Sequence, residues 1–279
     1  MPINKVSLQA RINNLSNKTG VHQNILLKAF FFDAFLKRLS ISKYNENFVF
    51  KGGFLLSTCL GINFRSTMDI DFLLTKMQLD KELLIKTIEE VSSIDINDGI
   101  TFEINGVSEI RQEDEYGGYN IALLGRLENI KEIVSVDVAT GDPITPEAIN
   151  YQYKCLLTDE TLGFKAYNFE TIISEKLQTL LFRGIANSRC KDFYDLFIIN
   201  SLKWDTLNLA ILKQAFAKTC EHRKTIFNKQ EAITIIDNIK NDSQIGIRWK
   251  SYCKKNLFAN GIDFQETIEV VLKIIDIVL

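Results

Sequence analysis

Lys51-Gly52-Gly53-Phe54 opens the stretch that decides the fold, and Met68-Asp69-Ile70-Asp71-Phe72-Leu73-Leu74 closes it. Before the glycines stands a short apolar run, Asn47-Phe48-Val49-Phe50, with strand character. After them apolar residues resume through Leu60 and stop at Gly61, the length of a short helix with a glycine stop signal. The closing segment alternates and then turns fully apolar, as a strand entering an interior does. The predicted order is strand, Gly-Gly turn, helix, strand. Gly52 and Gly53 can take positive φ and let the backbone approach a ligand. Their amides, with the positive end of the following helix, make an anion site. Asp69 and Asp71 lie two apart in a strand and point to one face. Two carboxylates held together call for a cation between them.

Working outward, residues 7–18 and 24–39 have helical apolar spacing, as do residues 80–91. The middle is β-like over residues 101–110, 119–127 and 133–138, with Gly117-Gly118 and Glu128-Asn129 as turn signals. Gly141-Asp142-Pro143-Ile144-Thr145-Pro146 is read as the place where the sheet-rich half ends. From about residue 168 the pattern is helical, over residues 169–182, 192–201, 207–220, 230–239 and 264–278. The fold class expected is α+β: a mixed sheet with flanking helices, then a helical C-terminal bundle. Its domains would be residues 1–165 and 166–279.

Composition excludes several classes. Lys and Arg number 33 against 35 Asp and Glu, so the 279-residue chain is no polycation. The sum hides a split: residues 1–150 hold 15 basic and 20 acidic side chains, and residues 151–279 hold 18 and 15. The N-terminus has no signal-peptide pattern, and no apolar run is long enough to span a bilayer. Cys59, Cys155, Cys190, Cys220 and Cys253 form no close pair, which argues against a disulfide framework or structural zinc. Only His22 and His222 are present, so metal chemistry must use carboxylates and hard ions such as Mg²⁺ or Mn²⁺. A cytoplasmic protein with no membrane partner is expected.

A phosphate site beside paired carboxylates is what metal-assisted nucleotidyl transfer requires, with two ions about 3.5–4 Å apart. Asp137, in Val134-Ser135-Val136-Asp137-Val138, is a candidate third carboxylate, or else a strand-end turn cap. The order Lys-Gly-Gly, then Arg65-Ser66-Thr67-Met68-Asp69-Ile70-Asp71, resembles the AbiEii/AbiGii toxin family of the DNA polymerase β-like nucleotidyltransferase superfamily. Ser174-Glu175-Lys176-Leu177 and Arg189-Cys190-Lys191-Asp192-Phe193-Tyr194-Asp195-Leu196 extend the likeness. It runs from about residue 48 to 196. Two departures stand out. Phe54 replaces the threonine usual after the glycines, with Ser57 or Thr67 as substitute hydroxyls. Asp137 matches the third acid of the superfamily by strand position alone.

The resemblance implies a nucleotidyltransferase fold whose helical domain contributes lysine and aspartate motifs to an active-site cleft. It implies Asp69, Asp71, Lys176 and Asp192 as catalytic residues and Asp69, Asp71 and Asp137 as metal ligands. Lys51, Gly52, Gly53, Ser57, Arg65 and Thr67 would hold the nucleotide. On this footing the chain is a Mg²⁺-dependent toxin of a toxin–antitoxin, phage-defence system. It would transfer a nucleotide from NTP to an RNA acceptor, tRNA, and have a cognate antitoxin. The residues themselves leave two alternatives open: transfer to a protein or small-molecule hydroxyl, and a non-catalytic binding module.

Overall fold

The computed structural model describes residues 3–65, 67, 69–110, 117–187 and 189–279. The chain separates into two compact units, residues 1–141 with 149–166, and residues 142–148 with 167–279.

The first unit is built on a seven-stranded mixed sheet. Its strands are β1 (Phe48–Lys51), β2 (Asp69–Leu74), β3 (Ile100–Ile110), β4 (Gly118–Leu127), β5 (Ile130–Ala139), β6 (Ile149–Lys154) and β7 (Thr161–Ala166). They are ordered β3-β4-β5-β2-β1-β7-β6. β2 runs parallel to β5 and β1 parallel to β7, while the other neighbours are antiparallel. Helices α1 (Lys5–Thr19), α2 (Gln23–Ile41), α3 (Gly52–Leu60) and α4 (Lys81–Ser92) accompany it. The α+β class read from the sequence is what the structure has.

One reading needs correction. The sheet does not end at the proline-containing stretch 141–146, since β6 and β7 follow it. β6 is an edge strand with only Tyr153 buried, so its residues carry almost no apolar alternation. Residues 111–116, next to the predicted Gly117-Gly118 turn, and Ser66 and Met68 of the quoted motif lie outside the described residues.

An aromatic cluster supports the Gly-Gly turn from below. Phe50 meets Phe72 edge-on at 4.8 Å, and Phe54, Tyr153 and Phe164 close around Phe50. Helix α2 is buried along most of its length, including Phe31, Phe32, Phe35 and two charged residues, Asp33 and Arg38. Arg38 holds Asp98 through two bonds, at 2.9 and 2.8 Å, and donates to the Ile100 carbonyl at 2.7 Å. This fork pins the start of β3 against α2.

The second unit is helical: α5 (Phe169–Arg183), α6 (Cys190–Lys203), α7 (Leu209–His222), α8 (Lys229–Asn241), α9 (Ser243–Lys255) and α10 (Phe264–Val278). Asn168, Asn208, Asn228, Asp242 and Asp263 each cap a helix with a side-chain oxygen. That explains why Asn and Asp punctuate this half so regularly. The α9 helix did not stand out in the sequence pattern because only Ile245 and Trp249 on it are buried. The stretch 142–148 belongs to this unit. Arg223 donates to Asp142 at 3.2 Å, and Asn168 donates to the Thr145 carbonyl at 2.7 Å. Among the described residues no helix is long and apolar enough to cross a membrane.

Candidate active site

β1 ends at Lys51, and Gly52 takes φ +67° to turn the chain into α3. A β-carbon there would lie 2.1 Å from Oδ2 of Asp71. Gly52 is thus required twice, for its left-handed backbone and for the space its missing side chain leaves. The Gly53 amide donates to the same Asp71 oxygen at 3.3 Å. A β-carbon on Gly53 would sit 3.0 Å from an Arg65 guanidinium nitrogen and 3.3 Å from the Thr67 hydroxyl. At the first turn of α3, Gly53 thus has its amide on the Asp71 carboxylate and the buried Arg65 and the Thr67 hydroxyl as close neighbours. Ser57, the other substitute hydroxyl, is buried on α3.

Register places the carboxylates. Lys51 lies opposite Asp71 across β1 and β2, Asp71 opposite Asp137 across β2 and β5, and Asp137 opposite Asn120 across β5 and β4. Cross-strand partners share a face, so the four form one row over four strands. Asp69, one step along the same face of β2, is opposite Ser135. Asp69 is exposed, Asp71 and Asp137 are half-buried, and Lys51 is buried.

Asn120 was not singled out in the sequence. Its Nδ2 donates to Asp137 Oδ1 and to Ser135 Oγ, both at 2.5 Å. The signal was available: a two-residue turn at Glu128-Asn129 pairs Leu127 with Ile130, and counting back brings Asn120 opposite Asp137.

Among the described residues no three His, Cys, Asp or Glu side chains are gathered closely enough to enclose a metal ion by themselves. The chemistry of the donor set nonetheless suits Mg²⁺ or Mn²⁺. Asp69, Asp71 and Asp137 offer only hard carboxylate oxygens, and Mg²⁺ commonly takes one or two carboxylates and completes its shell with phosphates and water.

The residues of the two later motifs meet in the second unit. Lys176 on α5 donates to Asp192 at 2.9 Å and to Asp195 at 2.6 Å, both on α6. Arg189 Nε reaches the other Asp192 oxygen at 2.7 Å. The side chains of Asp192 and Asp195 are 1% and 0% exposed. Burial alone would raise the Asp192 pKa, but the charges and hydrogen bonds of Lys176 and Arg189 outweigh it and hold the carboxyl at about 2. For Lys176 burial pulls the ammonium pKa down, and the two aspartates more than reverse it, so it stays charged. Glu175 faces Arg223 instead, at 4.0 Å. Phe164, Tyr167, Phe193 and Tyr194 are buried packing residues, and all five cysteines carry free thiols.

Two solved structures share the fold. One is JHP933 from Helicobacter pylori, with TM-score 0.53 and 17% identity over 92% of this chain and 93% of that one. The other is an H. pylori protein assigned as a nucleotidyltransferase, with TM-score 0.50 and 16% identity over 92% of this chain and 96% of that one. No curated protein matches. Residues 34–270 match the model of the nucleotidyl transferase AbiEii toxin, type IV toxin–antitoxin system, which spans both the glycine–aspartate turn and the lysine–aspartate cluster. The chain belongs to the AbiEii family of nucleotidyltransferase toxins.

Proposed function

We propose that this nucleotidyltransferase uses Mg²⁺ to move a nucleotide from an NTP onto an RNA acceptor, a tRNA, in the cytoplasm. As a toxin it would act in phage defence, held in check by a cognate antitoxin. One observation carries the reading: the Gly53 amide donates to Asp71, Arg65 and Thr67 stand beside Gly53, and Asp71 lies opposite Asp137 in the sheet.

In this reading the triphosphate lies over the first turn of α3. The backbone amides, Arg65 and Thr67 orient its oxygens, and Lys51 offsets part of its charge. Asp69, Asp71 and Asp137 would hold the metal, which when bound neutralises triphosphate charge and acidifies the attacking hydroxyl. Asn120 holds Asp137 in one rotamer. The acceptor oxygen bonds to the α-phosphorus in line as its bond to the bridging oxygen breaks. Pyrophosphate leaves, and the hydroxyl proton passes to a carboxylate of the row. Lys176 and Asp192 enter through the family motif. Within the second unit Lys176 is held between Asp192 and Asp195, which fixes where its ammonium stands.

The test is incubation of the full chain with each labelled NTP, Mg²⁺ and total RNA. Label in the tRNA band with wild type, and none with Asp69→Ala or with chelator, is the expected result. Label on protein or small molecules with every RNA band blank overturns the RNA acceptor.

A further inference from the structure

Residues 243–262 contain Arg248, Lys250, Lys254 and Lys255 and no carboxylate, in a chain whose charges as a whole nearly cancel. On α9 the apolar stripe, Ile245 and Trp249, is buried, and all four cations are exposed. Seven residues, close to two turns, separate Arg248 from Lys255, which puts them on one face about 10 Å apart along the axis. That face lines a groove of about 500 Å³. Arg189 and Lys191, at the start of α6, line it as well, with Tyr252 and Asn256.

The charge of this lining is one-sided. Among the described residues no carboxylate lines the groove, and its charged side chains are all cations. Asp192, adjacent in sequence to Lys191, is buried and already neutralised by Lys176 and Arg189. Among the described residues Arg248 makes no ion pair and donates only to the Asn187 carbonyl, at 3.3 Å. Lys255 likewise has no carboxylate partner among them. Cations in a concave site reinforce one another's field and attract an anion. Arg248 and Lys255 stand too far apart along the helix for one phosphate group, so the anion must be extended. The centres of protein–protein interfaces are depleted in lysine, and two lysines line this groove. Arg, Lys, Ser, Asn and Tyr are instead the usual donors to nucleic-acid phosphates.

We propose that this groove binds the phosphodiester backbone of the RNA acceptor. The proposal rests on the RNA-acceptor reading above and adds where, on the second unit, the RNA is gripped. The grip is on the backbone. Tyr252 in the lining stacks on Trp249 at 5.6 Å and packs on Tyr194 at 6.2 Å, so its ring is fixed by the protein's own aromatic packing. Binding is therefore steeply salt-dependent and indifferent to sequence.

The experiment measures anisotropy of fluorescein-labelled bulk tRNA, and of a random-sequence RNA, against the full chain at rising salt without NTP. Arg248→Glu/Lys255→Glu should weaken both by about tenfold or more and lower the salt slope by about 2. Arg248→Lys/Lys255→Arg should bind as wild type, and equal melting temperatures exclude misfolding. Unchanged affinity and slope in the charge-reversed variant overturn the groove. So does displacement of the tRNA by poly-glutamate at equal charge concentration, which would point to an acidic protein. Label transfer assayed in parallel separates the two claims. Groove-dependent binding without transfer to any RNA sinks the acceptor reading and leaves the groove. Transfer with binding untouched by the reversal does the opposite.

Discussion

Oδ2 of Asp71 stands 2.1 Å from where a β-carbon of residue 52 would be, and the backbone at Gly52 has φ +67°. The carboxylate thus occupies the volume that glycine leaves empty, and the Gly53 amide holds it there at 3.3 Å. Gly52→Ala must both strain the turn and push Asp71 off its place. Positive φ at alanine costs about 1–2 kcal/mol, and the steric displacement adds to it. Nucleotidyl transfer should fall by about a hundredfold, since misplacing a reacting group by about 1 Å has that effect. In an Asp71→Gly background urea melts should show only the strain component of the stability loss. A stability cost equal in the two backgrounds would show that the two residues do not share this volume.

The bond from Asn120 to Asp137 gives a second expectation. Second-shell partners of metal-binding carboxylates commonly set affinity by about 10–100-fold. Asn120→Ala should weaken Mn²⁺ binding by about tenfold, read by calorimetry on the protein without NTP. The same change should leave the urea midpoint close to wild type, because the residue is half-buried and Ala fits a strand interior. Unchanged Mn²⁺ affinity would remove Asn120 from the site and leave it a sheet residue.

These two cases also mark what could be read from the sequence. Gly52, Gly53, Asp69 and Asp71 stand close in the chain, and strand geometry alone puts both carboxylates on one face. Asp137 and Asn120 are joined to them only by register, which the Glu128-Asn129 turn encodes but the composition of the strands does not. Arg38 and Asp98 lie 60 residues apart and give no local sign of their fork. β6 escaped because an edge strand has little to bury, and α9 because two buried residues make a weak stripe.

Asp33 supplies a pH prediction. Burial pushes its carboxyl up to about 6, against hydrogen bonds from the Tyr153 hydroxyl and the Leu156 amide and the charge of Lys37, which pull it down. An acid whose folded pKa exceeds its unfolded value near 3.8 binds more protons in the folded state between those limits. Its contribution is therefore greatest below about pH 4 and is lost as pH rises to about 6, a change of about 3 kcal/mol by linkage. Asp33→Asn should flatten the stability profile over this window, whatever it does to absolute stability. Urea melts at pH 4, 5, 6 and 7 measure the slope, and an unaltered slope would reject the assignment.

The Lys176 cluster behaves in the opposite sense, and this separates a structural from a chemical role. Asp192 has a folded pKa of about 2, below its unfolded value of 3.8. Its stabilisation is fully present above about pH 4 and is lost as pH falls through 2, about 2 kcal/mol in all. Lys176→Met removes the cation shared by two buried carboxylates, and breaking such a pair costs about 3–5 kcal/mol at neutral pH. With the lysine gone the two acids repel, and at least one pKa rises. The variant then gains stability on acidification while wild type loses it, so the gap between them must narrow from pH 7 to pH 3. Lys176→Met inactivity at pH 7 can thus follow from unfolding alone. Adding Asp192→Asn and Asp195→Asn to Lys176→Met removes the repulsion and should restore most of the stability. If that triple variant is folded at pH 7 and still transfers no nucleotide, the cluster serves the chemistry. If it is folded and active, the cluster's part is to hold α5 against α6.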